Sequence, residues 1–109
     1  MRTMLHFEIP VEAGNDAAAK GLIGPTLQKV LDLLKPEAVY FTSGHSGERG
    51  GFVVFDMKDS SEMVRASEPF FLVLKAKVRF YPVMNVADLQ AGMPHLEQAV
   101  KEHGQAAGA

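Results

Sequence analysis

Two apolar runs near the middle of the chain form the clearest pattern in the sequence. They occupy residues 38–42 (AVYFT) and 52–55 (FVVF), and a loop rich in Gly and Ser separates them. Both runs are dense in aromatic and β-branched residues, which favour a pleated, packed surface. Neither run alternates cleanly between apolar and polar residues. We therefore predict two strands that are covered on both faces.

Two further segments alternate as strands do. In residues 4–9 one face carries Leu5, Phe7 and Ile9 and the other carries Met4, His6 and Glu8. Pro10 ends that strand because it has no N–H to donate. In residues 76–83 the core face carries Ala76, Val78 and Phe80, and the opposite face carries Lys77, Arg79 and Tyr81.

The segments between the strands predict helices. Asn15 or Asp16 is expected to cap a short helix, and Gly21 and Gly24 interrupt it. A second helical piece runs from residue 25 to 34, with its apolar residues on one side.

The second half of the chain predicts three more helical pieces. A helix that Asp59 caps is expected to end before Pro69, and a short turn then carries Phe70 and Phe71. Near the C-terminus, a helical turn is expected to stop at Gly92. A terminal helix follows, with residues 103–109 frayed.

The predicted order is β-α-β-β-α-β with a C-terminal helical extension, in one domain that spans residues 1–109. This order is typical of a ferredoxin-like α+β fold. Right-handed crossovers then give an antiparallel sheet with strand order 4-1-3-2.

The amino-acid composition excludes several kinds of site and partner for this protein. The 109 residues include no Cys, so disulfides, thiolate metal sites and thiol nucleophiles are excluded. The net charge of -2 argues against a nucleic-acid partner held by phosphate contacts. No segment has the apolar length of a membrane span, so we expect no membrane partner and a cytoplasmic protein. The histidines lack the spacing of a metal site on a helix, and no metal or other cofactor is predicted.

The layout resembles that of small dimeric α/β-barrel proteins. The resemblance is carried by the apolar sheet, by FVVFDM at 52–57 and by EPFF at 68–71. The segments LKPEA at 34–38 and FYPVM at 80–84 are most similar to small uncharacterised bacterial members, and more distantly to muconolactone isomerases and antibiotic-type monooxygenases. The resemblance implies a homodimer of two sheets with a ligand cavity, and it assigns no catalytic residue.

A remote alternative is an RNA-binding domain, because RNA-recognition domains share this topology. Their third strand carries an aromatic motif, and residues 49–55 (RGGFVVF) match it except that the first aromatic is missing. That ring is one of the platforms on which bases stack. The missing ring and the acidic charge therefore favour other functions.

The loop at 43–51 resembles a phosphate cradle only in its glycines. A cradle needs a following helix whose N–H groups point at the anion, whereas this loop joins two strands. We therefore predict an exposed, mobile hairpin loop over residues 44–50.

One polar group of residues could carry chemistry. His6 and Glu8 are expected to lie opposite Lys77, Arg79 and Tyr81 on the neighbouring strand. His6 could act as a general base while Arg79 stabilises a developing enolate. The alternative is a paired charge cluster at a dimer interface.

Five aromatic residues are candidates for either the core or a ligand pocket: Tyr40, Phe52, Phe55, Phe70 and Phe71. If a cavity lies between sheet and helices, residues 70–71 could close it. Two function classes follow. One is a binder of a small hydrophobic or aromatic molecule, in the catalytic case an isomerase or monooxygenase, and the other is a non-catalytic dimerisation module.

Overall fold

The structure is a computed structural model that describes residues 1–108. It has an α+β fold, as predicted, with four strands and four helices in this part of the chain. The elements are β1 (Arg2–Ile9), α1 (Val11–Ala19), α2 (Ile23–Leu34), β2 (Ala38–Ser43), β3 (Arg49–Asp56), α3 (Glu62–Leu74), β4 (Lys77–Pro82) and α4 (Val86–Gly108).

The strands form one antiparallel sheet in the order β2-β3-β1-β4. This is the predicted order 4-1-3-2 counted from the other edge, and it is compatible with a ferredoxin-like fold. β1 is a central strand, with His6 opposite Phe52 of β3 on one side and opposite Arg79 of β4 on the other. All three side chains therefore share one face of the sheet.

The core lies between the other face of the sheet and helices α1 to α3. Leu5, Phe7 and Ile9 of β1 are buried there, as their alternation predicted. The ring of Phe7 stacks on that of Phe70 from α3, with 4.7 Å between their centroids. Side chains thus fill the centre of the space between sheet and helices.

Helices α2 and α3 cover the sheet because each carries an apolar stripe with helical spacing. In α2 the buried residues include Val30 and Leu34, and in α3 they include Ala66, Phe70 and Leu74. Residues four apart lie on the same side of a helix, so each stripe faces the sheet.

The predicted helix boundaries need three corrections. α1 begins at Val11, directly after Pro10, and not near Ala17. Gly14 lies inside α1 and packs closely on its neighbours. A Cβ there would lie 2.6 Å from Arg49 Nη1 and 3.2 Å from Ile9 Cγ2. Its role is close packing, not a turn. α2 likewise begins at Ile23, before Pro25.

The second correction concerns Pro69, which lies within α3 and does not end it. A proline inside a helix removes one hydrogen bond and costs about 3 kcal/mol. Burial of Ala66, Phe70 and Leu74 along the same helix offsets that cost.

The third correction is at the C-terminus, where α4 continues through Gly92 and Pro94 as one helix of 23 residues. Its start is fixed by reciprocal bonds, since Asp88 N donates to Asn85 Oδ1 and Asn85 N donates to Asp88 Oδ2. The predicted frayed tail, 103–109, is helical to Gly108, and Ala109 lies outside the described residues.

We predict opposite effects for two Gly→Ala substitutions. A Cβ at Gly51 would lie 2.5 Å from the Tyr40 carbonyl oxygen and within 3.0 Å of the Phe7 ring, so Gly51→Ala should destabilise by about 1–3 kcal/mol. Gly24 in α2 has no neighbour within 4 Å of that position, so Gly24→Ala should be neutral or stabilising. Urea denaturation measures both, and equal effects would contradict the close approach at Gly51.

Candidate functional site

The second face of the sheet is open, since helices α1 to α3 pack on the first. Alternate residues of each strand project from it, among them Met4, Tyr40, Phe52, Val54 and Tyr81. Tyr40 is 67% exposed and Tyr81 is 41% exposed. An uncovered surface of this kind on a small protein marks an interaction or ligand site.

His6 and Arg79 lie side by side on this open face. The alternation predicted that they share a face, and the register places them directly opposite each other on β1 and β4. The His6 ring stacks on Phe52, with a centroid separation of 4.5 Å and an angle of 11° between the rings. This contact holds the imidazole plane nearly parallel to the Phe52 ring.

Glu8 connects this pair of strands to the hairpin loop. Its Oε1 accepts a hydrogen bond from Arg79 Nη1 at 3.0 Å, and its Oε2 accepts one from the His45 backbone N–H, also at 3.0 Å. Interactions with the Glu48 carboxyl, the His45 N–H and Arg79 lower the pKa of Glu8 to about 2 from its usual 4.5.

The low pKa of Glu8 makes its carboxylate a poor general base. A carboxylate that ionises near pH 2 is a weak proton acceptor at neutral pH, because a general base works best with a pKa near the working pH. Glu8 therefore orients Arg79 and the loop. His6 is the neighbouring imidazole on the open face, and imidazole is the side-chain group that most often transfers protons in enzymes.

These residues surround an open cleft of about 510 Å³. Its lining includes His6, Glu8, His45, Lys77, Arg79 and Tyr81. The cleft brings imidazole, carboxylate, ammonium, guanidinium and phenol groups to one side of the sheet. Such a set can bind an anion or a phenol and move a proton to or from it.

Only some of the predicted pocket aromatics lie near this cleft. Phe52 contacts His6, and Tyr40 is the partner of Phe52 on β2. Phe55 and Phe70 are buried in the core, at 1% and 0% exposure. Phe71 lies on α3 and is 42% exposed.

The loop residues His45, Ser46 and Glu48 also line the cleft, and sequence reasoning missed them. Within the predicted loop 44–50, residues 45–47 and 49 are exposed, as predicted, but Gly50 is buried in β3, and the His45 backbone N–H is bonded to Glu8. Glycine makes this approach possible, because a Cβ at Gly44 would lie 2.9 Å from Glu8 Oε2, and one at Gly50 would lie 2.8 Å from the Phe7 carbonyl oxygen. The pair Gly50–Gly51 in a strand was the signal that a neighbouring segment comes close.

A smaller groove of about 260 Å³ lies on the helix side of the sheet. It is lined mainly by apolar side chains of β1, α2 and β2, including Phe7, Leu27 and Phe41. Arg49 is its one ionisable lining residue among those described. It therefore offers an apolar surface but lacks the groups for acid–base chemistry.

Comparison with protein families and with curated proteins does not assign this chain to a family. Neither the protein-family models nor the curated proteins include a match to this chain. Within residues 1–108, no helix has both the length and the apolarity needed to cross a membrane.

The pKa of Glu8 predicts how stability depends on pH. A lowered pKa means that ionised Glu8 stabilises the folded state above pH 4.5, and that this contribution is lost as the pH falls towards about 2. Glu8→Gln removes the titration, so the difference in unfolding free energy between parent and variant should shrink over that range. Urea denaturation at a series of pH values measures it.

Comparing the unfolding free energies of the parent and Glu8→Gln separates the contribution of Glu8 from those of three other carboxylates. Asp56, Asp59 and Asp88 also have lowered pKa values, because each accepts hydrogen bonds in the fold. Their contributions are common to both proteins and cancel in the difference. A difference that stays constant with pH would contradict the assigned environment of Glu8.

Proposed function

We propose that this protein is a homodimer of the dimeric α/β-barrel type, in which two open sheet faces enclose a site for a small aromatic or enolisable molecule. The observation that carries the proposal is the stack of His6 on Phe52 beside Arg79, on a face that the chain itself leaves uncovered. In this proposal His6 is the proton acceptor and Arg79 stabilises negative charge on the ligand.

The open face has an apolar part and a polar part, and this arrangement supports a face-to-face dimer. Towards β2 and β3 it carries apolar side chains, and towards β4 it carries charged and polar ones. Packing the apolar part against a second copy would remove its exposed surface from water, which is worth about 25 cal/mol per Å². The polar part would then form the wall of a chamber between the sheets.

The chemistry of the cleft supports a ligand that carries or develops a negative charge. Arg79 and Lys77 supply two cations, and Tyr81 lines the same cleft with an aromatic ring. A general base contributes on the order of 100- to 10,000-fold, which suits substrates with easily removed protons. An isomerase or a monooxygenase acting on a reactive phenol or enol fits that range.

A dimerisation module is the second candidate, and the ion pair favours it. Arg79 and Glu8 are paired at 3.0 Å, so the main cation of the cleft already has an anionic partner. Structural ion pairs perturb pKa values as active sites do. In this alternative the polar groups serve the packing of the two sheets and bind no ligand.

We predict that the parent has twice the chain mass of 11.8 kDa in solution and that Phe52→Glu reduces it to one chain. A carboxylate buried in an apolar interface without a partner opposes association. Leu72→Glu is the matched control, because Leu72 is 73% exposed on α3, away from the open face. Light scattering gives the masses, and a monomeric parent at micromolar concentration would refute the dimer.

A ligand screen separates the two candidate functions. Phenols and enolisable aromatic acids should raise the melting temperature of the parent, and Arg79→Ala and His6→Ala should reduce the shift. Tyr40→Phe tests whether the exposed phenol of β2 takes part. If no compound acts on the parent, or if all variants respond as the parent does, these side chains serve packing and the dimerisation module is the better description.

A further inference from the structure

The apolar side chains of α4 form a single seam with the spacing of a coiled coil. They recur at alternating steps of three and four residues, at Val86, Leu89, Met93, Leu96 and Val100. These are the a and d positions of a seven-residue repeat. All five are exposed, from 40% for Met93 to 72% for Val86. Such a stripe is narrower than that of a helix packed on a globular core.

The chain cannot cover this seam itself, because α4 points away from its body. A helix of 23 residues is about 35 Å long. The molecule measures 61 Å along its longest axis and 28 Å along the next, so most of the helix extends beyond the body. Its radius of gyration, 18.3 Å, likewise exceeds the value of about 13 Å for a compact chain of this length.

The composition of α4 requires stabilisation from outside the helix. Gly92, Pro94 and Gly104 are the weakest types of helix former, and they lie within one helix. A helix that packs on nothing is marginal in water even with good helix formers. The outward side carries polar contacts such as Gln98 Nε2 to Glu102 Oε1 at 2.7 Å, so the seam is the surface left for packing.

We propose that the seam of α4 pairs in parallel with α4 of a second copy of this chain. Valine at two of the three a positions, 86 and 100, with leucine at d favours two-stranded parallel pairing. Of the flanking e and g positions between residues 85 and 104, Glu97 alone is charged. In parallel register it lies opposite Gly92 of the partner subunit, so no like charges meet.

The pairing rests on the proposed sheet-face dimer, because three heptads form a short coiled coil. The sheet contact raises the local concentration of the second helix. Arg2 connects the two surfaces, since it belongs to the open-face set of β1 and its Nη1 lies 2.5 Å from Asp88 Oδ2 at the start of α4. The sheet contact and the helix pair form together when one two-fold axis runs between the sheets and along the helices.

Single cysteines test the pairing directly, since the chain has none of its own. Leu89→Cys and His103→Cys place a thiol at d positions near the two ends of α4, and Gln98→Cys places one on the opposite side as control. In parallel register each seam thiol meets its own copy. We expect oxidation to a covalent dimer about 100-fold faster than for Gln98→Cys at micromolar protein, through the higher effective concentration.

The mass of the reduced proteins separates this proposal from the sheet-face dimer. Fast seam cross-linking supports the helix pair. A dimeric mass with equal rates at all three positions overturns the helix pair and leaves the sheet-face dimer standing. A monomeric mass with equal rates overturns both. A fourth variant, Leu96→Cys, places a thiol near the middle of the seam. If it alone cross-links fast, the helices are antiparallel and the parallel register is overturned.

Discussion

The register of β1 is the constraint on which the rest of the structure depends. β1 is hydrogen-bonded on both sides, so its alternation decides what each face of the sheet carries. In the observed register Leu5, Phe7 and Ile9 enter the core, and His6 and Glu8 project from the open face. A slip of one residue would bury a carboxylate among the helices and expose three large apolar side chains. Core packing and cleft chemistry are thus set by the same pairing.

Glycines at the end of β3 extend that constraint to the loop. Gly50 and Gly51 lie opposite Glu8 and Phe7, and neither has room for a Cβ. On one face the space is taken by the Phe7 ring, and on the other the loop comes down to the Glu8 carboxylate. The absence of side chains at two adjacent strand positions therefore makes room both for core packing and for the cleft.

Strand pattern was predictable from the sequence, and helix ends were not. Alternation in β1 and β4 predicts that His6 and Arg79 share a face, because the side-chain period is two, but the register that pairs them comes from the structure. Pro69 and Gly92 were interpreted as helix ends on local propensity, but propensity is a weak guide when packing favours a continuous helix. The loop contribution to the cleft could not be predicted, because it depends on a contact between His45 and Glu8, 37 residues apart.

The open sheet face and the α4 seam are two apolar surfaces that folding of one chain leaves exposed. Arg2 lies between them and binds both Glu37, just before β2, and Asp88 of α4. The Arg2–Asp88 ion pair thus joins the first turn of α4 to β1. Two copies joined through their sheets would then present their α4 seams in a defined and equal geometry, as a two-fold axis requires. The Arg2 contacts therefore connect the start of α4 to the sheet that would form the dimer.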